Sequence, residues 1–146
     1  MVFPRSLCLA LLLAASFSAR AADCVPVVES AWIRQPPMPM PMMAGFAEIR
    51  NPCVDAASIV SARSPAFGSV ELHETRKVDG VSRMRHVASL PLPAKGTATL
   101  APGGLHLMLM QPVAPVEVGQ RIAIEFELAD GRWLRADFDV RPPAAL

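Results

Sequence analysis

Short stretches in which apolar residues alternate with polar ones recur along this chain, and proline, glycine, asparagine and aspartate separate them. Alternation with a period of two is typical of strands buried on one face, and turns at this spacing favour an all-β sandwich or barrel. No segment shows the longer period of an amphipathic helix. The pattern predicts strands at Val25–Ile33, Gly45–Arg50, Ser58–Ala62, Ser69–Lys77, Val81–Val87, Thr97–Leu100, Leu105–Met110, Arg121–Leu128 and Trp133–Val140.

The N-terminal segment has the features of a secretory signal peptide. Arg5 supplies a positive charge, Leu7–Phe17 is an apolar core too short for a transmembrane helix, and residues 19–21 fit a small-residue cleavage site. We therefore expect residues 1–21 to be removed and residues 22–146 to form a single exported domain. No later apolar stretch is long enough to cross a bilayer.

Charge and motif content narrow the classes of function. The signal peptide contains Arg5 and Arg20, so the 14 basic and 13 acidic side chains of the whole chain come close to balance in the exported part. Nucleic-acid binding needs a concentrated positive footprint, which this composition does not predict. The serines lack a nucleophile-elbow context, and no hydrolytic constellation stands out. The sequence therefore predicts a binding protein rather than an enzyme.

The cysteines predict one disulfide. Of the three in the chain, Cys8 lies in the signal peptide, which leaves Cys24 and Cys53. A pair of cysteines in an exported protein is usually oxidised, and this bridge would tie the mature N-terminus to the turn that begins at Asn51. The alternative, in which both thiols bind a metal ion, stays open at this stage.

Four donor side chains stand at a spacing that suits a soft metal ion. Ten residues separate His73 from Met84, twenty-one separate Met84 from His106, and one separates His106 from Met108. Two imidazoles and two thioethers are a poor set for zinc, calcium or magnesium, but they suit copper, and Cu(I) in particular. A single methionine would be ordinary core packing. Two His–Met pairs in an exported protein favour a metal site.

A predicted hairpin brings His73 and Met84, the first His–Met pair, to the same face. The aspartate and glycine at positions 79 and 80 form a strong two-residue turn signal between two strands. This turn pairs Thr75 with Met84 and His73 with His86, so these four side chains share one face. His73 and Met84 then become diagonal neighbours within reach of long side chains.

The second pair is placed by alternation. In the strand Leu105–Met110 the leucines point to the core, while His106, Met108 and Met110 point to the opposite face. Residues two apart on one face can bind the same ion. We expect Met110 to be a packing residue. We also expect the folded domain to bring the two strands together at one end.

Two further sets of donors remain open as accessory ligands. His86 shares the face of the hairpin pair, although a supporting or surface role fits it better. The segment 36–43 alternates proline with methionine and predicts an extended polyproline II-like loop. Its thioethers could bind a second Cu(I) or shield the first, or the loop could simply pack on the end of the barrel; they are Met38, Met40, Met42 and Met43.

The donor spacing and its surroundings resemble the periplasmic copper chaperones called PCu(A)C. The resemblance covers roughly residues 25–140 and is carried, beside the four donors, by the segments Ala31–Arg34, Gly45–Asn51, Glu71–Glu74 and Gly103–Leu109. It implies a cupredoxin-like Greek-key β-barrel in the periplasm. It also implies that the Cu(I) ligands are His73, Met84, His106 and Met108. The two cysteines are not part of the family's ligand signature.

The resemblance also implies a destination for the metal. The family delivers copper towards the binuclear copper site of cytochrome c oxidase, either to an oxidase subunit or through a thioredoxin-like assembly factor. Some members carry a C-terminal tail rich in histidine and methionine, and residues 141–146 contain no such donors. We expect a monomer that binds Cu(I).

Other functions stay open from the sequence alone. A copper storage or tolerance protein would bind several ions, and a copper oxidase would need redox cycling and a substrate pocket. A blue-copper electron carrier would need a cysteine thiolate beside two histidines, which this donor set lacks.

Overall fold

All regular structure in the computed structural model, which describes residues 24–143, is β-strand. This confirms the all-β prediction. The strands are β1 (Val27–Arg34), β2 (Met42–Arg50), β3 (Ala57–Arg63), β4 (Phe67–Val78), β5 (Val81–His86), β6 (Leu90–Leu92), β7 (Thr97–Leu100), β8 (Leu105–Pro112), β9 (Arg121–Leu128) and β10 (Trp133–Arg141).

A ring of strands closes the barrel in the order β4-β8-β2-β1-β10-β9-β3, and β3 pairs back with β4. The closing contact is short, because Ala62 and Val70 are its one registered pair. β5 lies outside the ring beside β4, β6 lies beside β3, and β7 pairs with the C-terminal half of β2. β1 and β10 pair in parallel, and the other pairs are antiparallel. The adjacency of β4 and β8 puts residues distant in sequence on one sheet face.

The core follows the alternation that the sequence shows. Leu107 and Leu109 of β8 are opposite Leu72 and Val70 of β4, and both leucines are almost fully buried. The interior continues with branched and aromatic side chains from the other strands, among them Ile33, Ile49, Ile124, Phe126 and Phe138. Each such side chain stabilises the fold by about 1.5–3 kcal/mol on burial.

Two strand boundaries differ from the sequence prediction for clear reasons. β2 begins at Met42 rather than Gly45, because Met42–Ala44 pair with the end of β8. The segment 36–43 is therefore a loop only up to residue 41. β6 escaped prediction because it is three residues long and has Pro91 at its centre, which sequence patterns treat as a break.

The predicted disulfide is present and joins the segment before β1 to the turn after β2. Cys24 and Cys53 are bonded, so neither thiol is available to a metal ion and the alternative of thiol ligands is wrong. Beside it, the fully buried Asn51 accepts a hydrogen bond from the Cys53 amide at 3.1 Å. Its side-chain nitrogen donates to backbone carbonyls of the neighbouring loops, those of Asp55, Leu92 and Pro93.

Two predictions about the ends of the chain concern residues outside this range. The signal peptide at residues 1–21 lies beyond the described part, as do the last residues, 144–146. Within residues 24–143, no helix has the length and apolar character needed to cross a membrane.

Candidate metal centre

The β4–β5 hairpin has the predicted register. Val78 pairs with Val81, Thr75 with Met84, and His73 with His86. Asp79 and Gly80 both have positive φ, at 51° and 76°, which is the conformation of a tight two-residue turn that follows the strand twist. On the opposite face, the Glu74 carboxylate binds Arg76 and Arg85 at 2.8 and 2.7 Å. The hydrogen bond from Arg76 is the main cause of the lowered pKa of Glu74, and the contact with Arg85 joins the two strands of the hairpin.

The pairing of β4 with β8 joins the two halves of the site. His73 is the register partner of both His86 on β5 and His106 on β8, so three imidazoles form one row across three strands. The ring centroids of His73 and His106 are 6.3 Å apart, and those of His73 and His86 are 5.8 Å apart. Met108 lies one same-face step along β8, opposite Glu71. The predicted donors therefore share one sheet face, and the His73–His106 pair lies next to the last pair of the β4–β8 ladder, Glu74 with Leu105.

His106 makes the most informative contact of the site. Its Nδ1 lies 2.9 Å from the carbonyl oxygen of Gly104, which can only accept, so Nδ1 carries the proton. In the neutral ring, Nε2 then presents a lone pair, and it lies 3.3 Å from the Sδ atom of Met84. An imidazole lone pair and a thioether lone pair face each other with no proton between them. A shared cation would stabilise this arrangement.

His73 is oriented by a carboxylate. Its Nε2 donates to Oε2 of Glu71 at 3.0 Å, which leaves Nδ1 as the free acceptor of the neutral ring. Metal-binding histidines commonly donate their second ring nitrogen to a carboxylate or a backbone carbonyl. Both His73 and His106 show this pattern, with Glu71 and the Gly104 carbonyl as their partners.

The predicted ligands differ strongly in exposure. His106 and Met108 are 6 % and 8 % exposed, whereas Met84 is 53 % exposed on the edge strand β5. Phe46 lies beside the buried pair, with its ring centroid 6.5 Å from that of His106. Trp32 packs on Phe46 at 4.6 Å. One side of the site is thus closed by aromatic rings, and the other is accessible through Met84.

The accessory candidates do not form one group. His86 is exposed and lies edge-on to His73 in the imidazole row. Met38, Met40 and Met42 are exposed, at 62, 47 and 38 %. Met43 is 8 % exposed and belongs to the hydrophobic core cluster, although it also borders cavities that the other three methionines line.

Several features of the site were missed by reasoning from the sequence. Glu71 lies two residues from His73 on the same strand, and this spacing alone could have indicated that both side chains share a face. The contact between the Gly104 carbonyl and His106 spans only two residues, but its direction is set by the backbone conformation and not by the apolar–polar pattern. The approach of Phe46 to His106 depends on pairing between the distant strands β2 and β8. In the part of the chain that the structure describes, no three His, Cys, Asp or Glu side chains are grouped so as to hold a metal ion.

Fold and donor set together define a small β-barrel protein with a surface row of imidazoles flanked by thioethers. The family model described as "Putative lipoprotein LpqE-like" matches residues 27–140. The chain belongs to this family, which is the PCuAC family, as the sequence resemblance predicted.

Known relatives agree in fold. The protein named "Putative lipoprotein Lxx21020" of Leifsonia xyli subsp. xyli is 38 % identical over 105 residues, which are 71 % of this chain and 62 % of that protein. The alignment thus spans less than two thirds of the relative. The structure of the copper-free PCuAC domain of PmoF1 has a TM-score of 0.68 at 24 % identity, and covers 84 % of this chain and 98 % of that domain. This similarity confirms the cupredoxin-like barrel.

A solution structure shares both fold and appreciable sequence identity. It is the Cu(I) form of DR1885 from Deinococcus radiodurans, 29 % identical, with a TM-score of 0.63, covering 88 % of this chain and 85 % of that chain. The copper-free form of the same protein is 28 % identical and covers 99 % and 97 %, with a TM-score of 0.64.

Proposed function

We propose that this protein is an exported Cu(I) carrier of the periplasm. It binds one ion through His73, Met84, His106 and Met108 and passes it to an acceptor protein. The observation that carries the proposal is the 3.3 Å approach of His106 Nε2 to Met84 Sδ, with Nδ1 of the same ring held by Gly104. Membership of the PCuAC family and the Cu(I) form of the similar DR1885 support it.

The donor set accounts for the choice of ion. Thioether sulfur is a neutral, soft ligand that favours Cu(I) over zinc, and among residues 24–143 no thiolate is available because Cys24 and Cys53 are bonded to each other. The neutral imidazoles add no charge, so a monovalent ion keeps its single positive charge in the site. Such a site binds Cu(I) without making it as inert as a thiolate cluster would.

The exposure of Met84 accounts for release. The other thioether and one imidazole are buried, but Met84 is half exposed on an edge strand. A thiolate of an acceptor can therefore approach the ion from this side and replace Met84 first. We propose that the acceptor belongs to the assembly route of the binuclear copper site of cytochrome c oxidase. It would be the oxidase subunit itself or a thioredoxin-like assembly factor.

Metal binding tests the first part of the proposal. The purified exported protein should retain one Cu(I) per chain in competition with a Cu(I)-specific chelator and should bind Zn(II) weakly. Equal retention of both metals would contradict the proposal. Tight binding of several Cu(I) ions with similar affinity would instead indicate a storage or tolerance protein.

Delivery is tested by mixing the Cu(I)-loaded protein with the copper-free soluble domain of the oxidase subunit and measuring the copper bound by each.

A further inference from the structure

Three methionines form a row on the same sheet face as the predicted copper ligands. Met42 of β2 is the register partner of Met110 of β8, and Ala44 is the partner of Met108. Partners in an antiparallel pair point to the same face, so Met42, Met108 and Met110 (the methionine row) lie together. Cβ atoms of directly paired residues are separated by roughly 4.5–5.5 Å, which lets flexible thioethers converge.

The row leads from solvent to the copper site. Met42 is 38 % exposed, Met110 is partly buried, and Met108 is 8 % exposed. Met42 and Met108 line one cavity of about 400 Å³, which Ala44 also borders. The small side chain of Ala44 leaves the space beside Met108 open. Met108 therefore faces both the predicted copper site and this cavity.

The loop before β2 adds exposed thioethers at the outer end of the row. Its start is fixed by Gln35, whose side chain donates to the Val116 carbonyl at 2.9 Å, and its end by the Gln111 amide, which donates to the Pro41 carbonyl at 2.7 Å. Between these points Met38 and Met40 stay exposed although they are apolar. A loop that merely packed on the barrel would bury them.

We propose that the methionine row is a transfer path through which Cu(I) is exchanged between the site and small ligands in solution, whereas an acceptor protein takes the ion from the Met84 side. This inference rests on the proposed function, because it takes the ion to be Cu(I) bound at His73, Met84, His106 and Met108. Met108 belongs to both the site and the row. Copper passes by exchange of one thioether for the next, so no electron is transferred and no proton is released.

The surroundings of the row favour passage over storage. Thioethers are neutral and give weaker sites than thiolates or imidazoles. Arg34 borders the same cavity, and its guanidinium lies 5.1 Å from the centroid of the Phe46 ring. A positive charge near the row disfavours a resting cation there. The ion is therefore held more tightly at the two histidines than along the row.

Transfer kinetics test the path. Cu(I)-loaded protein is mixed with excess Cu(I)-specific chelator in a stopped-flow instrument, and uptake is measured in the reverse experiment. The double variant Met42→Leu/Met110→Leu keeps side-chain volume but removes two sulfurs. We expect uptake and release to slow by about tenfold, which corresponds to about 1.4 kcal/mol of barrier. The equilibrium affinity should stay within about twofold of the original.

Met43→Leu is the matched control. Met43 borders the same cavity as Met42 and Met108, but it follows Met42 on the strand, points to the opposite face and is 8 % exposed in the hydrophobic core. It should change neither the rates nor the affinity. Unchanged rates in the double variant would overturn the path. A lower affinity with faster release would also overturn it, because Met42 and Met110 would then be ligands of the resting ion.

The outcomes separate this inference from the proposed function. If the original protein binds no Cu(I) tightly, the proposed function and the path both fail. If binding is tight and only the rates are insensitive to the double variant, the path alone fails. A second readout uses Ag(I), a Cu(I) analogue whose binding is seen in the methionine methyl signals in NMR. After one equivalent of Ag(I) has filled the site, a second equivalent should shift the methyl signals of Met42 and Met110. If the first equivalent binds and the second leaves these signals unchanged, the path is contradicted.

Discussion

At the level of single residues, the site is defined by which ring nitrogen is free. The Gly104 carbonyl fixes the proton of His106 on Nδ1, and Glu71 holds Nε2 of His73. Each imidazole thus has one nitrogen engaged by oxygen and one available for a metal. In the proposed site, the thioethers of Met84 and Met108 would complete the ligand set without adding charge.

We predict that the sulfur atoms of Met84 and Met108 contribute more to Cu(I) binding than to the stability of the fold. Met84→Leu and Met108→Leu preserve volume but remove a ligand, and such swaps usually cost less than about 1.5 kcal/mol of stability. We expect each to lower the Cu(I) affinity by about tenfold or more, which corresponds to about 1.4 kcal/mol. Chelator competition measures the affinity, and thermal unfolding of the copper-free variants measures stability.

Two controls sharpen this prediction. Met110→Leu should leave the equilibrium affinity nearly intact, because Met110 lies one same-face step beyond Met108 along β8. His86→Ala tests the third imidazole of the row. If His86→Ala abolished binding while Met84→Leu did not, the ligand set would be richer in imidazole than proposed.

Copper binding should weaken in acid. Protons compete with copper for imidazole nitrogen, and an ordinary histidine titrates near about 6.5, whereas a thioether does not titrate. Affinity should therefore be highest above this range and fall as the pH is lowered through it. Chelator competition between about pH 7.5 and about pH 5 gives the slope. A flat profile would mean that the histidines are not ligands.

At the level of elements, the predicted site combines an edge strand with strands of the closed ring. β5 has one neighbour, β4, and lies outside the closed ring, whereas β8 lies between β4 and β2. Met84 is on this edge strand, and the buried ligands are on β8. The edge strand β5 therefore positions Met84, whereas β4 and β8 of the closed ring position the other three predicted ligands.

Changing the turn should weaken binding through Met84. Gly80 has a φ of 76° and open space where a side chain would point, so Gly80→Val is strained by its backbone alone, by about 1–2 kcal/mol. We expect the strand end to fray and the Cu(I) affinity to fall by about three- to tenfold. Hydrogen exchange of the β5 amides would report the fraying.

Gly131→Val provides the matched variant. Gly131 has a φ of 87° and equally open surroundings, but it lies in the turn between β9 and β10, away from the imidazole row. It should lose similar stability and keep its copper affinity. An equal loss of affinity in both variants would show that global stability, and not the position of Met84, controls binding.

At the level of the whole molecule, closure of the barrel and the disulfide hold the sheet that carries the site. The bridge joins residues 29 positions apart and lies beside Asn51, which follows the last residue of β2. The Arg132 side chain also donates to the Cys24 carbonyl at 2.8 Å. These contacts restrain the N-terminus of β1 without touching the predicted ligands.

Removal of the disulfide should therefore separate stability from copper binding. The variant Cys24→Ser/Cys53→Ser should lower the free energy of unfolding by about 2–4 kcal/mol. One Cu(I) should still bind per folded chain. Denaturant unfolding and copper analysis of the same sample measure both quantities. Loss of the bound copper from a folded variant would contradict the assigned roles.

The local features of this protein were determined by its sequence. The turn at Asp79 and Gly80 set the register that pairs His73 with His86, because a two-residue turn allows few alignments of the strands beside it. Alternation placed the leucines of β8 in the core and His106 and Met108 opposite them, because successive side chains of a strand point to opposite faces. The cysteine pairing likewise followed from the count of cysteines and the chemistry of an oxidising compartment.

Contacts between distant strands were decided only by the tertiary structure. The pairing of β4 with β8 brings His106 next to His73, and it puts Met108 opposite Glu71 on the same sheet face. The pairing of β2 with β8 sends Met42 to that face and Met43 to the core. No local pattern encodes which strands become neighbours, because that choice depends on how all the apolar faces close around one interior.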